Sequence, residues 1–376
     1  MENVSAMRKL DTIESALEDI REGKLVIVVD DEDRENEGDF IVAAERATPE
    51  TINFMSKYGR GLICVAVTEE TCQALGLEMM VTNNTDPHKT AFTVSIDLLG
   101  HGCTTGISAH DRAKTIQALV TPGFKPEDFA RPGHIFPLKA KSGGVLRRTG
   151  HTEAAVDLAR LAGLAPSGAI VEIMNDDGTM ARLPQLFEIA DQFGLKLISI
   201  RDLIAYRLSQ ETLIEEVITQ NVSTVYGDFK LVGFRHTIEQ REYVALVKGS
   251  WTADEAIPVR VHSSSMLSDI FNLKRAAQGS QLDAALRLIQ KEGKGVLVYI
   301  NRMDNSSGLL QQIESLLSTN ESSSGSMDNR DYGIGAQILR ALGVHKMRII
   351  TNHPESRRAG LDAYGLEIKD TIPLNG

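Results

Sequence analysis

The sequence predicts an α/β (α+β) protein of two domains, each a mixed sheet with packed helices. Short apolar runs that read as strands, such as Leu25-Val-Ile-Val-Val29 and Phe40-Ile-Val-Ala-Ala44, alternate with segments of helical spacing. The chain has 376 residues, 42% of them hydrophobic, enough to fill two or three ordinary globular cores. Its character changes beyond Tyr206, so the expected domains are residues 1–206 and 207–376.

The first helix is expected from Thr12 to Arg21, because Ile13, Ala16, Leu17 and Ile20 share one face. Gly23 leads into the strand at Leu25, and an acidic segment separates it from the strand at Phe40. Thr48 as N-cap and Pro49 in the first turn open a second helix. Gly59 and Gly61 precede a buried strand that ends at Val67 and carries Cys64. Ser108 and Asp111 have capping-box spacing, with Asp in place of the usual Glu or Gln, and Ile116 and Leu119 follow at helical spacing. Thr152 reads as the N-cap of a helix whose apolar face is Ala155, Leu158, Leu161 and Ala162, which places His151 just outside it. A strand follows at Ala169 to Ile173.

In the second half, residues 209–223 read as a partly helical boundary segment. Strands are expected at Phe229 to Phe234, Tyr243 to Val247, Ile257 to Val261, Val296 to Ile300 and Met347 to Thr351. Helices are expected from about Gln281 to Gln290 and Ile334 to Leu342, the latter stopped by Gly343. The Ser-rich stretch 318–327 has the composition of a flexible loop.

The densest chemistry lies in Asp30-Asp-Glu-Asp-Arg-Glu-Asn-Glu-Gly-Asp39, with seven carboxylates and one arginine in ten residues. Such charges repel one another, so the segment is either a solvated acidic turn or a loop that holds a cation. Other positions are equally two-sided. Cys64 is a small buried hydrophobe or a site residue, and Glu172 is an outward strand residue or a buried acid with a raised pKa. His151, beside a helix N-terminus, is a plain loop residue or a neutral metal-binding imidazole. The Thr- and Gly-rich loop before Ser108 offers backbone amides to an anion, a feature common to many helix starts. Cys72 and Cys103 carry no such signal.

Composition excludes several classes. A formal charge of −11 with no basic stripe argues against a nucleic-acid partner and for small ligands. The N-terminus lacks a signal-type apolar core and no run is long enough to span a bilayer, so a cytoplasmic protein without a membrane partner is expected. Three cysteines, all in the first third, form neither a metal-type pair nor a disulfide framework.

The motifs RENEGD, RPGHIFPL, RTGHTEA and NDDGTMAR occur in that order, and with them residues 8–207 closely resemble 3,4-dihydroxy-2-butanone 4-phosphate synthase. The resemblance implies a homodimeric lyase that converts D-ribulose 5-phosphate to 3,4-dihydroxy-2-butanone 4-phosphate and formate with Mg²⁺ or Mn²⁺. It assigns Glu35 and His151 to the metal. Substrate contacts fall to Arg34, Glu35, Asp39, Glu172 and the loop Arg148, Thr149, Gly150, His151, Thr152. His134, Glu172, Asp39 and Cys64 form the catalytic set.

Residues 207–372 resemble GTP cyclohydrolase II through Val259-Arg-Val-His-Ser263, Asp328-Asn-Arg330 and Asp331-Tyr-Gly-Ile-Gly335. Ser265, Ala276 and Gln278 stand where that family has its zinc cysteines, and Met303-Asp-Asn305 stands where it has Glu-Gly-Arg. Asp328 and Arg330 match its proton acceptor and nucleophile, and Arg260 and Gln281 its GTP contacts. The expectation is a second domain without zinc and without cyclohydrolase activity.

Overall fold

A computed structural model describes residues 9–32, 34–238, 241–264, 269, 279–300, 329–352 and 364–374. The chain divides into two compact units, Met1–Tyr206 and Arg207–Gly376.

The first unit is a seven-stranded mixed sheet between two helical layers. Its strands are β1 (Val26–Val29), β2 (Gly38–Ala43), β3 (Cys64–Val67), β4 (Ile96–Leu98), β5 (Phe129–Lys139), β6 (Gly168–Glu172) and β7 (Lys196–Ser199), in spatial order β4-β5-β3-β6-β2-β1-β7. The helices are α1 (Ile13–Arg21), α2 (Pro49–Phe54), α3 (Glu69–Ala74), α4 (Ala109–Ala118), α5 (His151–Leu161), α6 (Leu183–Phe193) and α7 (Ile200–Gln210). Alternation along the strands sends Ile27, Phe40, Val42, Val65 and Val171 to one face, where Ile52 of α2, Ile116 of α4 and Leu186 of α6 cover them. It sends Val26, Val28, Ile41, Cys64 and Ile170 to the other, under Ile20 of α1, Leu158 of α5 and Leu203 of α7. Because both faces are covered, the strands read as unbroken apolar runs. A fully buried side chain such as Ile20 or Leu158 contributes about 1.5–3 kcal/mol.

Two local readings are corrected, and one strand was not foreseen. Helix α5 begins at His151, with Gly150 as N-cap in extended backbone and no side-chain cap, so Thr152 is the second helical residue and His151 the first. Ser108 does cap α4, accepting from the Asp111 amide at 3.0 Å, but the Asp111 carboxylate turns to Thr104 and Gly106, so no reciprocal box forms. Strand β5 was hidden in the sequence by Pro132 and Pro137, which weaken any strand pattern.

The second unit carries another seven-stranded mixed sheet, in the order β14-β13-β11-β12-β10-β9-β8. Its strands are β8 (Ile214–Thr224), β9 (Gly227–His236), β10 (Glu242–Lys248), β11 (Ala256–Ser263), β12 (Gly295–Ile300), β13 (Lys346–Ile350) and β14 (Glu367–Ile372). The described helices after α7 are α8 (Gly279–Glu292) and α9 (Asn329–Ala341). β8 corrects the boundary reading: from Ile214 to Thr224 it pairs antiparallel with β9, with a register shift between Glu216 and Ile218, and a strand partner distant in sequence decides the segment's conformation. Ser265, Ala276, Gln278, Met303–Asn305, Asp328 and the stretch 318–327 lie outside the described residues, as does the side chain of Arg330.

Candidate active site

The site of the first unit is built where the acidic segment leaves β1 and α5 begins. Asp30, whose carboxylate is fully buried, organises the turn: it accepts from the amides of Glu35 (3.1 Å) and Glu37 (2.8 Å) and from Arg34 Nη1 (2.9 Å). The second nitrogen of Arg34 meets Glu35 Oε1 at 2.9 Å. From the start of α6, Arg182 Nη1 donates to the carbonyls of Glu35 and Asn36, and Asn36 takes the left-handed backbone (φ 56°) that an asparagine tolerates. The acidic run is therefore a fixed turn, and the freely solvated reading fails for Asp30 and Asp39, both buried. Asp33, also in the run, lies outside the described residues.

The His151 ring is buried at the first position of α5, with Nε2 3.1 Å from the Val28 carbonyl of β1. A carbonyl only accepts, so Nε2 carries the proton. Burial lowers the imidazole pKa and keeps the ring neutral, which leaves the Nδ1 lone pair facing Glu35 Oε2 at 3.9 Å and Asp39 Oδ1 at 3.8 Å. Asp30, Glu35 and His151 each bring a possible ligand atom within 4.8 Å of the others. Asp30 already accepts three hydrogen bonds, so Glu35 and His151 are the ligands best placed to serve an ion.

These residues fit a hard divalent cation. Two ligands of one octahedral Mg²⁺ ion lie about 3.0 to 4.2 Å apart, given bonds of about 2.1 Å, and the His151–Glu35 spacing falls inside that span. Asp39 Oδ1 is buried and has no hydrogen-bond partner among the described residues. Burial, then the neighbouring Glu172, Glu35, Glu37 and Asp30, push its carboxyl well above the usual range. Positive charge beside this group would relieve the strain of so many acids.

The sheet completes the row. Asp39 on β2 pairs with Glu172 on β6, and Cys64 on β3 pairs with Ile170, so the three side chains share the α5 face. Glu172 Oε2 accepts from the Leu62 amide at 2.8 Å. Position 61 must be glycine for this approach, since a Cβ there would lie 2.3 Å from that oxygen. Burial, with Glu172 and Asp39 nearby, pushes the Cys64 thiol far up, so it stays protonated and is no nucleophile.

His134 lies on the same face by alternation from Phe136, which pairs with Cys64. It stands two strands from Glu172, about 10 Å away at ordinary strand spacing. Its polar contacts go to Asp97, so the structure sets it at the rim and does not join it to the Glu35–His151–Asp39 group.

Arg148 is not a free cation. Its Nη1 donates to Glu153 Oε2 at 2.7 Å, and Nη2 reaches the His88 carbonyl and Thr90 Oγ1, each at 3.2 Å. It thereby fixes Thr149 and Gly150 ahead of α5, whose first-turn amides at His151, Thr152 and Glu153 receive no side-chain cap, an arrangement that can accept an anion. Sequence reasoning missed Asp30, Glu153 and Arg182. Asp30 was one acid among seven, and Arg182 lay inside NDDGTMAR with nothing to single it out.

In the second unit, Arg260 Nη2 donates to Gln281 Oε1 at 2.8 Å and Nη1 to the Ile350 carbonyl at 2.9 Å. His262 is buried against the Tyr299 ring, with Nε2 3.0 Å from Asp269.

The model of the 3,4-dihydroxy-2-butanone 4-phosphate synthase family matches residues 14–206, and that of GTP cyclohydrolase II matches residues 215–373. The riboflavin biosynthesis protein RibBA of Cytophaga hutchinsonii is 56% identical over 375 residues, covering 97% of this chain and 92% of that protein. The RibBA of Aquifex aeolicus is 53% identical, with 97% and 93% covered. Among solved structures, RibBX, a two-domain 3,4-dihydroxy-2-butanone 4-phosphate synthase from A. baumannii, superposes with a TM-score of 0.79 at 40% identity, covering 96% of this chain and 99% of that one. A 3,4-dihydroxy-2-butanone 4-phosphate synthase in complex with two magnesium ions covers 54% of this chain and 98% of its own, with a TM-score of 0.52 at 44% identity. With its acidic turn, its buried histidine and its two matched units, the chain belongs to the 3,4-dihydroxy-2-butanone 4-phosphate synthase family, in the form that carries a GTP cyclohydrolase II-like unit behind the synthase.

Proposed function

We propose that the first unit converts D-ribulose 5-phosphate to 3,4-dihydroxy-2-butanone 4-phosphate and formate, a lyase step of riboflavin biosynthesis. The observation that carries this reading is the convergence of the His151 lone pair, Glu35 and the unpartnered Asp39 oxygen at the uncapped start of α5. Glu35 and His151 would hold Mg²⁺ or Mn²⁺, which supplies Lewis-acid stabilisation of negative charge developing on neighbouring sugar oxygens. The chain's own groups do the rest. The α5 amides, Thr152 and the loop fixed by Arg148 receive the phosphate, while Arg34 stays bound to Asp30 and Glu35 and orients the acidic turn against the sugar. Asp39 and Glu172 hold and move protons, and His134 acts from the rim. Cys64 stays a thiol and shapes the wall beneath Glu172.

Two further readings accompany the activity. The chain is a cytoplasmic homodimer through its first unit, a reading supported by the exposed Leu62, Met79, Met80, Val81, Leu99 and Ile107. The second unit neither binds catalytic zinc nor opens the GTP ring. All three cysteines precede it, and a zinc site of that kind needs thiolates that hold the metal and leave one position open for water. Serine, alanine and a neutral glutamine amide do not replace them.

Formate release from ribulose 5-phosphate is expected with Mg²⁺ and is lost on adding a chelator. Its absence under both conditions would leave a non-catalytic scaffold as the alternative. For the second unit, stoichiometric zinc in the purified protein together with chelator-sensitive formate release from GTP would overturn the inactive reading.

A further inference from the structure

The sheet of the second unit ends in two edges of different character, β14 on one side and β8 on the other. The β14 edge carries Glu367, Lys369 and Asp370, charges that keep a further strand from pairing there. The β8 edge has no such guard over residues 217–225, Val-Ile-Thr-Gln-Asn-Val-Ser-Thr-Val, which hold no charge, proline or glycine. Six of the nine are β-branched, the class of residue that favours extended pairing.

The guards on β8 lie at its start alone. Glu215 and Glu216 precede the register shift between Glu216 and Ile218, and from Ile218 to Thr224 the pairing with β9 is unbroken. No described strand pairs with the outer side of this stretch, so its outward N–H and C=O groups form a regular row that a further strand can bond. Residues 215–221 are all exposed, so neither face of that stretch is buried under a helix. Both ends of the strand are fastened. The Leu213 amide donates to Gln337 Oε1 of α9 at 2.7 Å, and the Leu213 carbonyl accepts from the Thr237 amide at 2.9 Å. Beyond Thr224, the Arg287 guanidinium of α8 lies 5.4 Å from the centre of the Tyr226 ring. A strand already held straight loses little freedom when it pairs.

We infer that residues 218–224 form a self-association edge, at which β8 of a second copy of the chain pairs antiparallel about a two-fold axis near Asn221. Charge selects this partner and this direction. Antiparallel pairing sets Ile218 opposite the partner's Thr224 and leaves the Glu215 and Glu216 acids of the two copies at opposite ends, whereas parallel pairing would set like acids side by side. A two-fold contact also closes on itself, while pairing of β8 with the β14 edge of another copy would run head to tail and meet its charges. The contact is additional to the homodimer proposed through the first unit and does not depend on it.

The test uses the full chain. In Asn221→Cys the two new thiols would face each other across the axis at the spacing a disulfide needs, so mild oxidation should link two chains. In Glu215→Cys the corresponding thiols would lie about 40 Å apart, at about 3.4 Å per residue, and no link should form. The unaltered chain, whose Cys64 and Cys72 are buried, supplies the background. Gln220→Lys and Val222→Lys, which oppose each other in this register, should together abolish the Asn221→Cys link and leave the far-UV circular dichroism unchanged. Amide hydrogen exchange needs no new cysteine: the outward amides of residues 218–224 should be protected in the unaltered protein and lose that protection in the double lysine variant. Absence of a link in Asn221→Cys, an equal yield in Glu215→Cys, or a link that survives the lysines overturns the inference. Protection that persists in the lysine variant assigns the edge to a different strand and overturns it as well.

Discussion

Glu35→Gln lowers turnover of D-ribulose 5-phosphate by about 10³-fold, and His151→Ala does the same, because a Lewis acid at a sugar oxygen is worth several kcal/mol and each 1.36 kcal/mol is tenfold in rate. Each variant removes one of the two residues proposed to hold the metal. The competing explanation is loss of the Arg34–Glu35 ion pair, which at this partial exposure contributes about 1 kcal/mol and falls far short of a 10³ effect. The fold is expected to survive Glu35→Gln. The amide oxygen still accepts from Arg34, and one negative charge leaves a turn crowded with Asp30, Glu37 and Asp39. The check pairs steady-state formate release with Mg²⁺ titration by calorimetry. Near wild-type turnover in either variant, or unchanged Mg²⁺ affinity in both, rejects the ligand assignment.

The two-domain α/β reading holds, and it was legible because its signals were local. The spacing of Ile13, Ala16, Leu17 and Ile20 gave α1, and the run before Asp30 gave β1. What stayed hidden depended on partners distant in sequence. β5 was obscured by its prolines, and β8 is a strand because β9 pairs with it. The same division runs through the site. The sequence marked Glu35 and His151 by motif, but their proximity arises because the ring of His151 is tied to Val28, 123 residues earlier. No spacing rule could single out Asp30 among seven acids as the one that folds the turn, or show that Arg182 grips its backbone. The helix start was misjudged by two residues because Thr152 is a good cap in isolation. Here Gly150 takes that place and leaves the first-turn amides open to a ligand.

Arg148→Ala is expected to lower stability as well as affinity, and the two effects are separable. Glu153 is 1% exposed, and Arg148 is its cationic partner at 2.7 Å; without it the carboxylate keeps the Lys141 amide on Oε1 at 3.0 Å. Removing one member of a buried pair costs about 3–5 kcal/mol, since a charge is left without compensation. For a unit of this size that corresponds to a fall in Tm on the order of 10 °C. If the loop also receives the phosphate, affinity for ribulose 5-phosphate falls by a further ~1.5–3 kcal/mol, the usual size for a hydrogen bond to a charged group. Adding Glu153→Gln neutralises the stranded acid, so the double variant Arg148→Ala/Glu153→Gln should recover most of the lost Tm. It should not recover the affinity, because the guanidinium is still missing from the loop. Calorimetric melting and substrate titration of both variants decide between the roles. A single variant as stable as the unaltered protein would show that Glu153 does not depend on Arg148. A double variant that regains affinity along with stability would show that Arg148 serves the phosphate only by holding the loop in place.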